Sequence, residues 1–481
     1  MKKEMTYRPL VHFAPADGWM NDPNGMVYID GKYHLFFQYY PQVPLWGPMH
    51  WGHAVSEDLL HWEELPAAIY PDENGMIFSG SCVFDKENVS GLGQKAIPEL
   101  GVPEKAPLIA VFTSHKDIVE GENRRSQEQQ SIAYSTDYIH FEKYIGNPVI
   151  KNIEKPDFRD PKAFWNPVKN CYSLAIAAGP NVEFYASKDL KNWEKTGEFK
   201  AGETGLGGIC ECPDCFRVKT DDGKEKWVLI ISMILPPEEV GKKNDVTDRM
   251  THITQYYVGE FDGNTFHDTE QAEEALVLDY GTDNYAAVTF QNLEEPVMIG
   301  WADNWNYARL SPTDDEKFRG KMSFARKMRL VTTEKGYRLS YTYEGLEVPK
   351  AHAWVLETGV NRLRVKTFGI RAKVKDSGEI VIANEAGEKI VVSVTEDEII
   401  VDRTAAGQKA FSEHYQKESY GINRAPRTNK ASDLEVILDN CVLEVLADDG
   451  RAPFTVCVFP MKPYTTVTVT GDVAAEMYEV K

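Results

Sequence analysis

Ser56-Glu-Asp-Leu-Leu-His-Trp62 recurs as Ser135-Thr-Asp-Tyr-Ile-His-Phe141 and again as Ser187-Lys-Asp-Leu-Lys-Asn-Trp193. Each copy follows a short strand-like run, Gly52–Val55, Ser131–Tyr134 and Val182–Ala186 in turn. The physical reading is one hairpin written three times. Ser and Asp hold a tight turn through their side chains, and the aromatic packs back on the sheet. Gly259-Glu-Phe-Asp-Gly-Asn-Thr-Phe266 is a weaker echo of the same pattern. Copies that return every ~50–80 residues suit the four-stranded blades of a propeller.

The rest of the chain agrees with a β protein. Short runs at Lys32–Tyr39, Leu108–Ser114, Gln130–Tyr134, Lys226–Met233 and Thr254–Phe261 are bounded by Gly, Pro, Asn and Asp, and long amphipathic helical patterns are scarce. From about Leu330 the texture changes. Thr333-Glu-Lys-Gly-Tyr337 has the chemistry of a hairpin turn, and Tyr341–Ala351 reads as a linker. Alternating strands follow at Arg362–Val374, Glu379–Ala383, Lys389–Val394, Glu398–Asp402, Leu434–Asp439, Val442–Ala447, Phe454–Phe459 and Thr465–Thr470. That spacing describes a β-sandwich. The expected division is a propeller over 1–335, a linker over 336–352 and a sandwich over 353–481.

Bulk properties exclude several partners. The 481 residues are 42% hydrophobic and 26% charged, an ordinary globular composition. A net charge of −21 argues against nucleic acid or an anionic membrane, both of which need a basic footprint. The longest apolar run, Trp227–Leu235, falls far short of the ~20 residues of a membrane helix. M-K-K-E-M-T-Y-R-P-L at the start carries no apolar segment behind its lysines, so the expectation is a cytoplasmic protein. Seven cysteines, an odd number, fit free thiols in a reducing compartment.

Three acidic motifs carry the chemistry. Trp19-Met-Asn-Asp-Pro-Asn-Gly25 contains good turn residues, yet it also sets an aromatic, an amide and a carboxylate together at the mouth of a strand. Asp157-Phe-Arg-Asp-Pro161 and Cys210-Glu-Cys-Pro-Asp214 repeat the grammar of a carboxylate shortly before Pro and an apolar strand. Inner strands of a propeller surround one central cavity, so three blades would bring these motifs together. Converging carboxylates with Trp, Asn, Gln and Arg suit glycosidic bond cleavage, which needs one carboxylate at the sugar ring and one acid near the leaving oxygen. Cys210, Cys212 and Cys215 could be read as zinc ligands, but no fourth Cys or His lies close by. His50, His53 and His61 are read as structural or rim residues rather than ligands.

The three motifs, in this order, resemble glycoside hydrolase family 32, the invertases, inulinases, levanases and sucrose-6-phosphate hydrolases. The likeness extends to Phe36–Pro41, Trp51–Ser56 with Asp58, Leu59, His61 and Trp62, Phe78–Ser81, Thr254–Gly259, Asp283–Ala286, Gly300–Tyr307 and Gly320–Lys327. It continues at Val401–Arg403 and from Asp439 through Glu444. The resemblance implies a five-bladed β-propeller with a C-terminal β-sandwich, retention through a covalent fructosyl intermediate, and neither metal nor organic cofactor. Position by position, it implies Asp22 as nucleophile, Glu211 as acid/base and Asp160 as transition-state stabiliser. Asn21, Gln38, Trp46, Ser79 and Arg159 would line the fructosyl subsite, with Trp19, Phe78 and Trp301 beside it. Cys210, Asn284 and the charged stretch Pro236–Met250 depart from the family pattern and bear on the outer subsites.

The expected substrates are sucrose and short fructooligosaccharides, with a sucrose-6-phosphate hydrolase or a fructosyltransferase as alternatives. Two other readings compete. A non-catalytic carbohydrate-binding propeller would lack at least one of the three carboxylates. An inverting glycosidase on arabinan or xylan would not carry W-M-N-D-P-N-G together with E-C-P. The sandwich offers a surface through which the chain could form a homo-oligomer.

Overall fold

The computed structural model describes residues 6–100, 103–120, 123–152, 154–203, 206–236, 251–346, 353–429 and 432–481. Five antiparallel sheets follow one another along the chain. Blade one contains Gly18–Ile29, Lys32–Tyr40, His50–Ser56 and Glu63–Ile69, and blade two Met76–Phe84, Leu108–Glu120, Asn123–Ser135 and Glu142–Lys143. Blade three is built from Phe158–Asn166, Cys171–Ala178, Asn181–Ser187 and Glu194–Phe199, and blade four from Ile209–Lys219, Glu225–Ile234, His252–Phe261 and Phe266–Asp268. Blade five holds Tyr285–Thr289, Val297–Trp301, Arg326–Thr333 and Gly336–Tyr343. The ring is tied shut where Phe318–Arg319 pairs in parallel with Gly18–Trp19 of blade one.

Each blade is buried on both faces, because its side chains alternate between the seams on either side. Leu229 enters the core shared with blade three, while Val228 and Ile230 enter the core shared with blade five. That is why strands such as Lys226–Met233 read as continuous apolar runs.

The repeated heptapeptide is the turn between the third and fourth strands of blades one, two and three. Asp58 accepts from the Leu60 and His61 amides, Asp137 from Ile139 and His140, and Asp189 from Lys191 and Asn192. The fourth position of the repeat takes a left-handed backbone each time: Leu59 at φ 67°, Tyr138 at 65° and Leu190 at 60°. The indoles of Trp62 and Trp193 then donate to the Leu59 and Leu190 carbonyls. Asp262 performs the same task in blade four, with Gly263 in the left-handed position at φ 88°.

The expected boundary at residue 335 falls too early. Gly336–Tyr343 pairs in full register with Arg326–Thr333 and closes blade five, so the propeller runs to Tyr343. Leu339 and Tyr341 bury one face of this strand against blade four, which holds it in the sheet. Residues 347–352 of the expected linker lie outside the described residues, as do 237–250 of the charged stretch.

The C-terminal sheet folds over on itself into a sandwich. Phe368–Ala383 and Thr466–Glu479 run side by side through both layers, with a register break between Val374 and Gly378 at the corner. Ile370, Val392, Val436, Val445, Phe454 and Val467 fill the space between the layers. Among the described residues no helix is long and apolar enough to cross a membrane.

A buried charge network joins the two domains. Arg326 of blade five donates to Asp279 at 2.6 Å and to Glu444 of the sandwich at 2.7 Å. His12 lies between Asp439 at 2.9 Å and Glu444 at 3.2 Å. Burial opposes a charge on His12, but the two carboxylates outweigh it and raise its pKa. Arg403 donates to the Cys457 carbonyl of the sandwich and to Thr282 and Tyr307 of the propeller. The family-like segments near Arg403 and Asp439–Glu444 thus belong to the seam between domains.

Candidate active site

All five inner strands carry the same irregularity at the same level. Two residues on the inner strand oppose one on its neighbour: Asn21 and Asp22 against Gln38, Phe78 and Ser79 against Thr113, and Asp160 and Pro161 against Ile176. Blade four does this with Cys212 and Pro213, and blade five with Ala286 and Ala287. A bulge of this kind re-aims side chains and leaves an amide without a ladder partner, so Pro161 and Pro213 sit in it without loss. Asp160, Cys212 and Ala286 hold left-handed backbones at φ 63°, 44° and 53°. Such conformations cost about 1–3 kcal/mol each and persist where surrounding structure enforces them, often at functional sites. Asp22-Pro23-Asn24-Gly25 is therefore not a turn: it lies inside the continuous strand Gly18–Ile29, and the strand runs through the motif rather than starting after it.

The bulges bring the three motifs together. Asp22 accepts from Ser79 at 2.6 Å and from its neighbour Asn21 at 2.9 Å. The Cys212 thiol lies between two carboxylates, 3.7 Å from Asp22 and 3.6 Å from Asp160, and the Cys212 amide donates to Asp160 at 3.0 Å. One step before the bulge, Arg159, Glu211 and Tyr285 occupy equivalent positions in blades three, four and five and bond to one another. Arg159 holds one Glu211 oxygen at 3.2 Å, and the Tyr285 hydroxyl donates to the other at 2.6 Å. Arg159 in turn contacts Asp157 at 2.7 Å and Glu128 at 3.3 Å, and Glu128 pairs with His115 at 3.1 Å.

The carboxylates stand in different electrostatic settings. Burial pushes Asp160 up to about 8; Arg159 opposes this, and the nearby Glu211 and Asp22 add to it. Burial also raises Asp22, against which Ser79, Asn21 and Cys212 work as donors that favour its ionised form. Arg159 remains charged despite burial because three carboxylates and Asp157 surround it.

The remaining expected residues form the walls in two layers. Trp19 is fully buried and donates to Asn21 at 2.7 Å. Gln38 is buried and holds Asn24 and the Ile77 carbonyl, so it braces blade one. Phe78 stacks on His115 at 4.0 Å and meets Trp46 edge-on at 6.4 Å; both Phe78 and Trp46 remain partly exposed. Trp301 is fully buried behind Trp19, 6.2 Å away, so it supports the wall rather than forming its surface. Trp305, stacked on Trp19 at 5.9 Å and partly exposed, takes that surface place.

Sequence reasoning passed over Tyr285, Glu128, His115 and Trp305 as site residues. Tyr285 and Trp305 lie inside quoted family-like segments, and that was their available signal. Asn284 bonds Thr455 of the sandwich at 3.2 Å and so serves the seam. The three clustered cysteines do not converge: Cys210 and Cys215 enter the core between blades three and four, while the bulged Cys212 faces the axis. No group of three or more His, Cys, Asp or Glu side chains able to hold a metal occurs among the described residues. His53 stacks on Phe36 at 4.2 Å and bonds His34, His61 bonds Asp58, and His50 bonds the Pro48 carbonyl.

The model for the glycosyl hydrolases family 32 N-terminal domain matches residues 12–341, and that for the family 32 C terminal matches 327–479. The chain belongs to glycosyl hydrolase family 32. A levanase of Bacillus subtilis is 36% identical over 94% of this chain, which spans 66% of that relative's length. An extracellular exo-inulinase of Aspergillus awamori is 32% identical over 99% of this chain and 95% of its own. The crystal structure of exo-inulinase from Aspergillus awamori superposes with a TM-score of 0.86 at 30% identity, covering 100% of this chain and 99% of that one. A β-fructofuranosidase from Schwanniomyces occidentalis, complexed with fructosyl-erythritol, gives a TM-score of 0.80 at 27% identity over 100% and 98% of the two chains. The five blades and the sandwich of this family 32 chain are those of its relatives.

Proposed function

We propose that this chain is a retaining β-fructofuranosidase that releases terminal non-reducing fructosyl units from sucrose and short fructans. The observation that carries the reading is that Asp22 and Glu211, brought together around the bulges of the inner strands, stand in different settings. Asp22 is half-buried and accepts from three donors, while Glu211, also half-buried, stands apart between Arg159 and Tyr285. Two carboxyl groups in different settings are what acid/base and nucleophile roles require.

In the first step Asp22 attacks the anomeric carbon of the fructosyl unit. The glycosidic C–O bond breaks as Glu211 gives its proton to the departing oxygen. In the second step Glu211 takes a proton from water, whose oxygen displaces Asp22 and frees fructose. Asp160 hydrogen-bonds fructosyl hydroxyls and stabilises the oxocarbenium-like transition state, an interaction worth most when it strengthens there. The names of the relatives support fructans and sucrose as substrates. The seven buried, unpaired cysteines support a reducing compartment for the activity.

Asp22→Asn keeps the side-chain shape but removes the nucleophile. It should lower kcat at least about 10³-fold with thermal unfolding little changed. A variant retaining a tenth or more of wild-type kcat removes Asp22 from the role. Proton NMR of the first-formed fructose anomer checks the stereochemistry, and inversion excludes a covalent intermediate. Initial fructose release from sucrose, kestose and inulin then ranks the substrates.

A further inference from the structure

Arg309 lies on the short 3-10 turn Ala308–Leu310, directly after the segment that supplies Trp301 and Trp305. Its guanidinium carbon is 5.8 Å from the Trp305 ring centre and 5.9 Å from that of Trp46, within cation–π range of both. These two rings rim the fructosyl site: Trp305 stacks on Trp19, whose indole holds Asn21, and Trp46 meets Phe78 beside Ser79. Arg309 therefore bridges the Trp305 segment of blade five and the Trp46 loop of blade one, at the rim residues around Asp22. It is exposed, and among the described residues it has no carboxylate or hydrogen-bond partner.

The contrast with Arg159 is informative. Arg159 uses its donors on Asp157, Glu128 and Glu211, so it is committed to the floor of the site. Arg309 is positioned by two indoles, which take none of its N–H groups. A planar fork with five unused donors, held at the entrance, matches pairs of neighbouring hydroxyls on a sugar ring. Adjacent partly exposed indoles supply the flat apolar surface that such a ring also needs.

We infer that Arg309, seated on Trp46 and Trp305, forms the subsite for the departing sugar and sets preference for the leaving group. The inference rests on the fructosidase reading above. It commits to a neutral saccharide. A phosphate would bring further negative charge toward the carboxyl groups of Asp22, Asp160 and Glu211, and the described neighbours of Arg309 at the rim are two indoles, which add no second cation.

The test compares wild type, R309A and R309K on sucrose, kestose, methyl β-D-fructofuranoside and sucrose 6-phosphate. The methyl fructoside keeps the fructosyl unit and has no sugar to depart. R309A should lower kcat/KM for sucrose and kestose about tenfold, as loss of a charged donor does, and change the methyl fructoside less than twofold. R309K should recover part of the loss, since it restores the charge but not the fork. Equal losses on sucrose and the methyl fructoside would show a structural role and overturn the inference. So would no loss on sucrose, or a loss confined to sucrose 6-phosphate. Failure of the wild-type enzyme on both sucrose and the methyl fructoside overturns the fructosidase reading itself, and the inference with it.

Discussion

Asp160→Asn should cost activity and raise stability, with a pH dependence that follows from the site. The carboxyl is 6% exposed and is pushed up to about 8 by burial, with Glu211 and Asp22 adding to the effect against Arg159. In the unfolded chain an aspartate titrates near ~3.9. The folded value is the higher one, so folding takes up a proton between these limits. The stabilising contribution is complete below pH ~4 and is lost as pH rises through about 8. At ~1.36 kcal/mol per pH unit, the ceiling between pH 5 and pH 8 is about 4 kcal/mol. Protons shared with Asp22 and Glu211 reduce what one substitution recovers, so about 2 kcal/mol is expected. Asparagine cannot ionise, keeps the volume and can still accept from the Cys212 amide. Thermal melts at fixed ionic strength should show Asp160→Asn gaining about 2–3 °C over wild type at pH 8 and little at pH 5. A gain of equal size at both values, or a loss that grows toward pH 8, would refute the reasoning. Activity should fall by about two orders of magnitude or more, placing this position among sites where function is kept at the expense of stability.

Tyr285→Phe removes the 2.6 Å donor to Glu211 and should lower kcat/KM on sucrose about 10–100-fold with thermal unfolding little changed. An unaltered kcat/KM would show the hydroxyl to be dispensable. Glu444→Gln weakens the partner of Arg326 and His12 in the domain seam and should destabilise by about 3 kcal/mol, seen as a lower Tm with the active-site chemistry intact. A Tm equal to wild type would place the seam's stability elsewhere. All seven cysteines are free and buried, so Ellman's reagent should label almost none in minutes in the native protein and all seven after unfolding. Fewer than seven after unfolding would reveal a disulfide.

What could be read in the chain depended on how local its cause was. The Ser-x-Asp hairpin is closed by atoms of the repeat itself, Asp58 bonding the Leu60 and His61 amides, so three copies announced three blades before any tertiary contact was known. Asp22, Asp160 and Glu211 were legible for a related reason, since each carries its Pro or its neighbouring Arg or Asn along with it. Their geometry was not. Asp22-Pro23-Asn24-Gly25 reads locally as a turn, and it becomes a strand because Lys32–Tyr40 pairs on both sides of the bulge. Gly336–Tyr343 reads as the start of a linker and becomes a strand because blade four buries Leu339 and Tyr341. Tyr285 is the extreme case. Its hydroxyl matters through a carboxylate 74 residues earlier in the chain, and the family likeness of Asp283–Ala286 marks the segment without pointing to that partner. The five bulges explain both outcomes together. They put one side chain from each blade at a common level, so a residue's partner is set by its height on the axis and by which blade lies next to its own. Neither of those is a property of neighbouring letters. The same dependence on the ring rather than on the chain puts Arg309 beside Trp46, two residues 263 positions apart whose contact joins blade five to blade one.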